Sequence, residues 1–164
     1  MAATLALRLS GGAANADPAA SLGGILSATA VPTALTANSI FDDVSGTEEQ
    51  AGDTEYRGLY IVNTGDVDAE NVTVWLTDTS DADTTIAVAL ADEGVNATME
   101  TIANENTAPA GPAFSMPTSE GAGLDMGTIA AGQRYGLWIR RTVAADAGAS
   151  ADQFTISASF DTAP

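Results

Sequence analysis

Three groups of residues carry side chains from which a site can be built. Asp66-Val-Asp68-Ala-Glu70 and Asp78-Thr-Ser-Asp81-Ala-Asp83 set carboxylates at close, nearly alternating positions in polar stretches. A loop with that spacing can gather several oxygen ligands round a Ca²⁺ ion. Neither stretch has the central glycine and the terminal bidentate glutamate of an EF-hand, so both read as solvated strand connections. No metal site is assigned, and Asp66, Asp68, Glu70, Asp78, Asp81 and Asp83 stand as the Ca²⁺ candidates. The third group is Arg134, Arg140 and Arg141, which bring three of the five positive charges into or beside one apolar run. They are either ion-paired to carboxylates of their own domain or form a partner-docking patch, for which the planar, multiply donating guanidinium is suited.

Much other chemistry is excluded by residue type. The sequence contains no Cys, His or Lys, which removes thiol nucleophiles, disulfides, His-based triads and the usual Cys/His zinc sites. Carboxylates are plentiful, but no spacing singles out an opposed pair of the glycosidase kind, and Trp75 and Trp138 both lie inside alternating runs. Ser10-Gly-Gly and Gly23-Gly24 lack the Gly-Lys-Ser/Thr ending of a phosphate loop. Asn71-Val-Thr73 and Asn96-Ala-Thr98 fit the glycosylation sequon by accident of composition. No enzyme activity and no cofactor are expected. Five basic residues against 22 acidic ones give a net charge of −17, which repels a phosphate backbone or an anionic bilayer, so neither nucleic acid nor membrane is an expected partner.

The elements that must position these groups are short strands. Glu55–Val62 sends Tyr56, Tyr60 and Val62 to one face and Leu59 and Ile61 to the other, as a strand covered on both sides does. Asn71–Leu76 and Thr84–Leu90 repeat the alternation and are expected to pair as successive strands. Arg134–Val143 alternates Tyr135, Leu137 and Ile139 with Trp138 and Arg140, and the run through Phe154, Ile156, Ala158 and Phe160 is amphipathic. Further strand candidates are 4–9, 25–28, 97–102 and 127–129. Residues 103–123, with Pro109, Pro112 and Pro117, read as a long loop. No window shows a sustained 3.6-residue period, so helix is expected to be scarce.

These patterns predict an all-β protein, an antiparallel β-sandwich of immunoglobulin-like architecture, because a single amphipathic sheet would leave its apolar side in water. The Gly, Ala, Ser and Thr of residues 11–37 are too small to make a packed layer, so 1–37 reads as an N-terminal strand and flexible arm and 38–164 as one sandwich domain. Met1–Ser10 has no basic n-region and its apolar stretch is cut by Arg8, which predicts no secretory signal.

Leu5-Ala-Leu-Arg-Leu-Ser-Gly-Gly-Ala-Ala-Asn-Ala-Asp-Pro18, Ser21–Gly24, Phe41–Gly46, Gly52–Arg57, Tyr60–Asn63, Asn71–Trp75, Ile102–Gly111, Ile129–Gln133 and Leu137–Val143 occur in order along the chain. Through them the sequence resembles a family of small virion structural proteins of tailed bacteriophages. That resemblance implies a particle component without catalytic residues. Capsid decoration, or cement, is the first expectation: a protein made in the host cytoplasm and placed on the outer surface of the capsid, with the major capsid protein and copies of itself as partners in a homo-oligomer. A neck or tail component is the second. A cell-surface immunoglobulin-like binding module, the reading from another class, is disfavoured by aromatic-poor loops and by the expected lack of a signal peptide.

Overall fold

The computed structural model describes residues 2–32, 38–77, 83–148 and 153–162. Within these the fold is all-β, with several antiparallel sheets. The strands are β1 (Leu5–Leu9), β2 (Gly23–Gly24), β3 (Asp53–Asn63), β4 (Ala69–Thr77), β5 (Thr84–Leu90), β6 (Met99–Thr101), β7 (Leu124–Ile129), β8 (Arg134–Val143) and β9 (Thr155–Thr162). They form a four-stranded sheet in the order β1-β3-β8-β5, a three-stranded sheet in the order β7-β4-β9 and the small pair β2-β6. The one described α-helix, α1 (Gly46–Ala51), starts at Ser45, whose side chain and backbone exchange hydrogen bonds with Glu48, and stops at Gly52, where φ reaches 76°.

The period-two pattern carries through to packing. Leu59 and Ile61 of β3 and Leu137 and Ile139 of β8 join Val72, Val74 and Leu76 of β4 and Met126 and Ile129 of β7 in one core cluster. On the opposite face of the four-stranded sheet Tyr60, Val62, Ala89 and Trp138 form a second cluster with Met99 and Ile102, and Leu22 and Leu26 pack against it. The four-stranded sheet is therefore covered on both sides, as the two apolar faces of β3 require.

Two expectations fail here. The runs 71–76 and 84–90 do not pair: β4 lies between β7 and β9, while β5 is bonded to β8. Alternation identifies which face of a strand is buried, and Val72 and Val74 meet Val88 through the shared core from different sheets. Nor do the residues after β1 form a free arm. They run back over the sheet as a strap: Ser27 N donates to Leu9 O at 2.9 Å, Leu9 N to Thr29 O at 3.1 Å, Gly58 N to Ser21 O at 2.7 Å and Ile102 N to Leu22 O at 3.0 Å. The strand expected at 25–28 is likewise replaced by β2, two residues earlier.

Small residues are what let the strap lie so close. Gly23 has φ of 85°, and a Cβ there would sit 1.9 Å from Glu100 O and 2.9 Å from the Trp138 ring. A Cβ on Gly58 would fall 2.9 Å from Gly23 N. The strap's buried polar groups are matched in turn. Ser10 Oγ donates to Gly58 O at 2.6 Å and accepts from Gly23 N, and Tyr60 Oη donates to Gly24 O at 2.6 Å while accepting from Met99 N. Hydrogen bonds and backbone contact order this segment together with a few apolar anchors, Leu22 and Leu26 on the second cluster and Val31 in the main core. Trp138, fully buried beneath it, leaves its Nε1 without a partner, a loss of about 1–3 kcal/mol set against the burial of a large ring.

Candidate functional site

Five charged residues gather where the face of β3 and β8 that carries Leu59 and Leu137 runs out towards solvent. Glu55 and Arg57 lie two apart on β3, so both point to the face of Leu59, and Arg141 on β8 is the directly opposed partner of Glu55. Asp42 comes from the segment before α1 and Glu105 from the long loop, whose backbone oxygen accepts from Tyr56 N at 2.7 Å. Arg57 is fully buried. Its guanidinium meets Glu105 Oε2 at 2.5 Å, Asp42 Oδ1 at 3.3 Å and Glu55 Oε1 at 3.8 Å, and donates to Tyr56 O at 3.2 Å. Arg141 donates from Nε to Glu55 Oε2 at 2.7 Å, from NH2 to the same oxygen, and from NH1 to Asp42 O at 2.8 Å. Both guanidiniums lie on the ring of Phe41, 5.4 and 4.8 Å from its centroid.

Burial pushes the Glu55 carboxyl above its ordinary range, and Arg141 foremost, then Arg57, pull it back only in part. Asp42, Glu55 and Glu105 bring one oxygen each within 4.8 Å of one another, the only group among the described residues with the geometry of a metal ligand set. The positive charge at its centre comes from the chain itself, as two guanidiniums. As it stands the arrangement is a clasp that fastens β3, β8, the long loop and the segment before α1 to one another.

The three arginines singled out in the sequence do not form one patch. Arg141 belongs to the clasp, which bears out the ion-pair alternative for that residue. Arg134 and Arg140 lie on the opposite face of β8, with Trp138, at positions six residues or roughly 20 Å apart. Arg134 sits 5.4 Å from the centroid of Tyr60 and Arg140 5.1 Å from that of Phe114, which in turn packs edge-on to Tyr56. Neither guanidinium has a carboxylate within ion-pair distance among the described residues.

The acidic candidates are dispersed. Asp66 Oδ1 accepts from Ala2 N at 3.0 Å and Asp68 Oδ1 from Ala131 N at 3.1 Å, each tying down a turn. Glu70 faces Asp161 across β4 and β9. Asp83 opens the approach to β5, and Asp78 and Asp81 lie outside the described residues. The clasp itself was not singled out from the sequence, although a signal was present: Glu55 and Arg57 fall on the same alternating face as the apolar Leu59 and Ile61. Charge placed there has to be paired.

Comparison with family models, with curated proteins and with solved structures returned no match for this chain.

Proposed function

We propose that this chain is a non-enzymatic structural protein of a tailed-bacteriophage virion, set on the outside of the capsid as a decoration protein. In this reading the two larger sheets make an immunoglobulin-like β-sandwich, with the strap as an elaboration on its outer face. The observation that carries the reading is where the charge goes. All five arginines turn onto their own chain, Arg57 and Arg141 into carboxylates, Arg134 and Arg140 onto aromatic rings, and Arg8 onto Ala28 O at 2.9 Å. The exterior is left to the carboxylates of a chain with net charge −17. Many copies of such a surface keep particles mutually repelled and soluble. Attachment to the major capsid protein uses Arg134 and Arg140, which are only half-buried beside the strap and are not ion-paired among the described residues, and modest affinity per copy suffices on a repeating lattice.

Copy-number proteomics on purified particles tests this. Hundreds of copies per particle support decoration, about a dozen place the chain at the neck or tail instead, and absence from the particle rejects the virion reading.

A further inference from the structure

We propose that the outer edge of β9 pairs with β9 of a second copy, antiparallel and centred on Ala158, to join two three-stranded sheets into one of six. The inference needs no virion and stands apart from the reading above.

Among the described residues the other edges of the two larger sheets are covered or irregular. Beside β1, residues 27–31 hydrogen-bond to Leu7 and Leu9, and beside β5, Val88 and Ser115 exchange backbone bonds at 2.8 and 2.9 Å. β7 is two residues shorter than β9, its pairing with β4 shifts register twice where that of β9 shifts once, and Gly127 within it has φ of 67°. Among the described residues β9 bonds through its backbone to β4 alone. It runs eight residues, Thr155-Ile-Ser-Ala-Ser-Phe-Asp-Thr162, with no Pro, Lys or Arg to repel a neighbour.

The occupant follows from the order of these residues. About Ala158 the central five residues keep the same character in both directions, Ser157 answering Ser159 and Ile156 answering Phe160, and beyond them Thr155 answers Asp161. A two-fold axis through Ala158 sets Ile156 of one copy beside Phe160 of the other on the core-facing side, where both are only half-buried in a single chain. The same register puts the strand's one charge, Asp161, opposite a threonine, so no like charges meet across the seam. A strand from an unrelated protein has no reason to match this symmetry. Two copies at −17 each repel at a distance, so added salt should strengthen the pair.

Sedimentation equilibrium of the full chain tests it. The wild type should be dimeric, and more tightly so when salt is raised to about 0.5 M. Ser157→Asp with Ser159→Asp sets like charges opposite one another twice per dimer and should weaken association about tenfold. Ser157→Lys with Ser159→Asp sets opposite charges there and should restore it, and Thr155→Lys alone, which faces Asp161 of the other copy, should tighten it. A wild type that stays monomeric at about 100 µM in both salts, well above a micromolar dissociation constant, overturns the proposal. So does a dimer indifferent to the two charge pairs. Thr155→Lys, an exposed change, keeps the test decisive if a double variant fails to fold.

Discussion

Glu55 and Arg141 face each other across β3 and β8, and one carboxylate oxygen of Glu55 takes both the Nε and an NH2 of Arg141. The pair lies almost wholly out of water, with side-chain exposures of 3% and 12%. Its worth is asymmetric: forming it roughly offsets the loss of hydration, whereas removing one member strands the other.

Arg141→Leu should therefore cost about 3–5 kcal/mol, read from the urea unfolding midpoint. Glu55→Leu combined with Arg141→Leu should recover most of that loss. A single variant as stable as wild type would mean that water reaches the site and the clasp holds nothing.

The same carboxyl sets a pH dependence. Because burial raises its folded pKa, Glu55 contributes stability that is fully present below its ordinary value of 4.5 and lost as pH rises through the higher folded value. Glu48 behaves oppositely. Its hydrogen bonds with Ser45 lower its pKa, so its contribution is present above 4.5 and disappears as pH falls through the lowered folded value. Between neutrality and 4.5 the Glu55 effect is thus separable. Melting temperatures taken from about pH 7 to about pH 5 should move in favour of wild type over Glu55→Gln as the solution is acidified. Parallel curves would show that Glu55 does not titrate in that window.

The strap should behave as part of the fold. Gly23→Ala forces a side chain into Glu100 O and the Trp138 ring at a positive φ, for a loss of about 2–4 kcal/mol. Trp138 emission should shift to the red as the strap lifts. Deleting residues 1–24 removes β1 and β2 together and should leave an insoluble or unfolded chain. Soluble truncated protein with native Trp138 emission would restore the free-arm reading.

Arg140→Glu tests the proposed docking role of Arg134 and Arg140. Arg140 rests on Phe114 with no carboxylate partner among the described residues, so reversing its charge should cost no more than about 1 kcal/mol of unfolding free energy, the worth of that ring contact. If the chain decorates a capsid as proposed, its occupancy on particles should fall, and wild-type attachment should weaken as salt rises towards about 0.5 M. Unchanged occupancy, or attachment indifferent to salt, removes Arg140 from the contact.

Side-chain alternation made the principal strands legible, because β3, β4, β5, β8 and β9 each bury a face of period two. It also separated Arg140 from Arg141, which the structure places on opposite faces of β8. Strand partners were not legible: Val74 and Val88 carry the same pattern whether they lie side by side or meet through a core. The strap was hidden for a different reason. Ser10, Ser21 and Gly23 are buried by hydrogen bonds and by the lack of a side chain, and composition scores such residues as flexible. The clasp needs Asp42 and Glu105, which reach β3 from loops 13 residues before Glu55 and 48 residues after Arg57, separations that no local motif spans.

Asp66, in the turn before β4, and Ala69, the first residue of β4, hold both ends of the described chain, Asp66 by accepting from Ala2 N and Ala69 by pairing with Thr162. Anything joined before Ala2 or after Thr162 therefore leaves the domain at a single pole, and a short linker between them would close the chain into a ring. Reopened in the loop between β6 and β7, such a circular permutant would keep every strand pairing, and its unfolding midpoint against that of the linear chain would measure how much the two ends contribute by being held together.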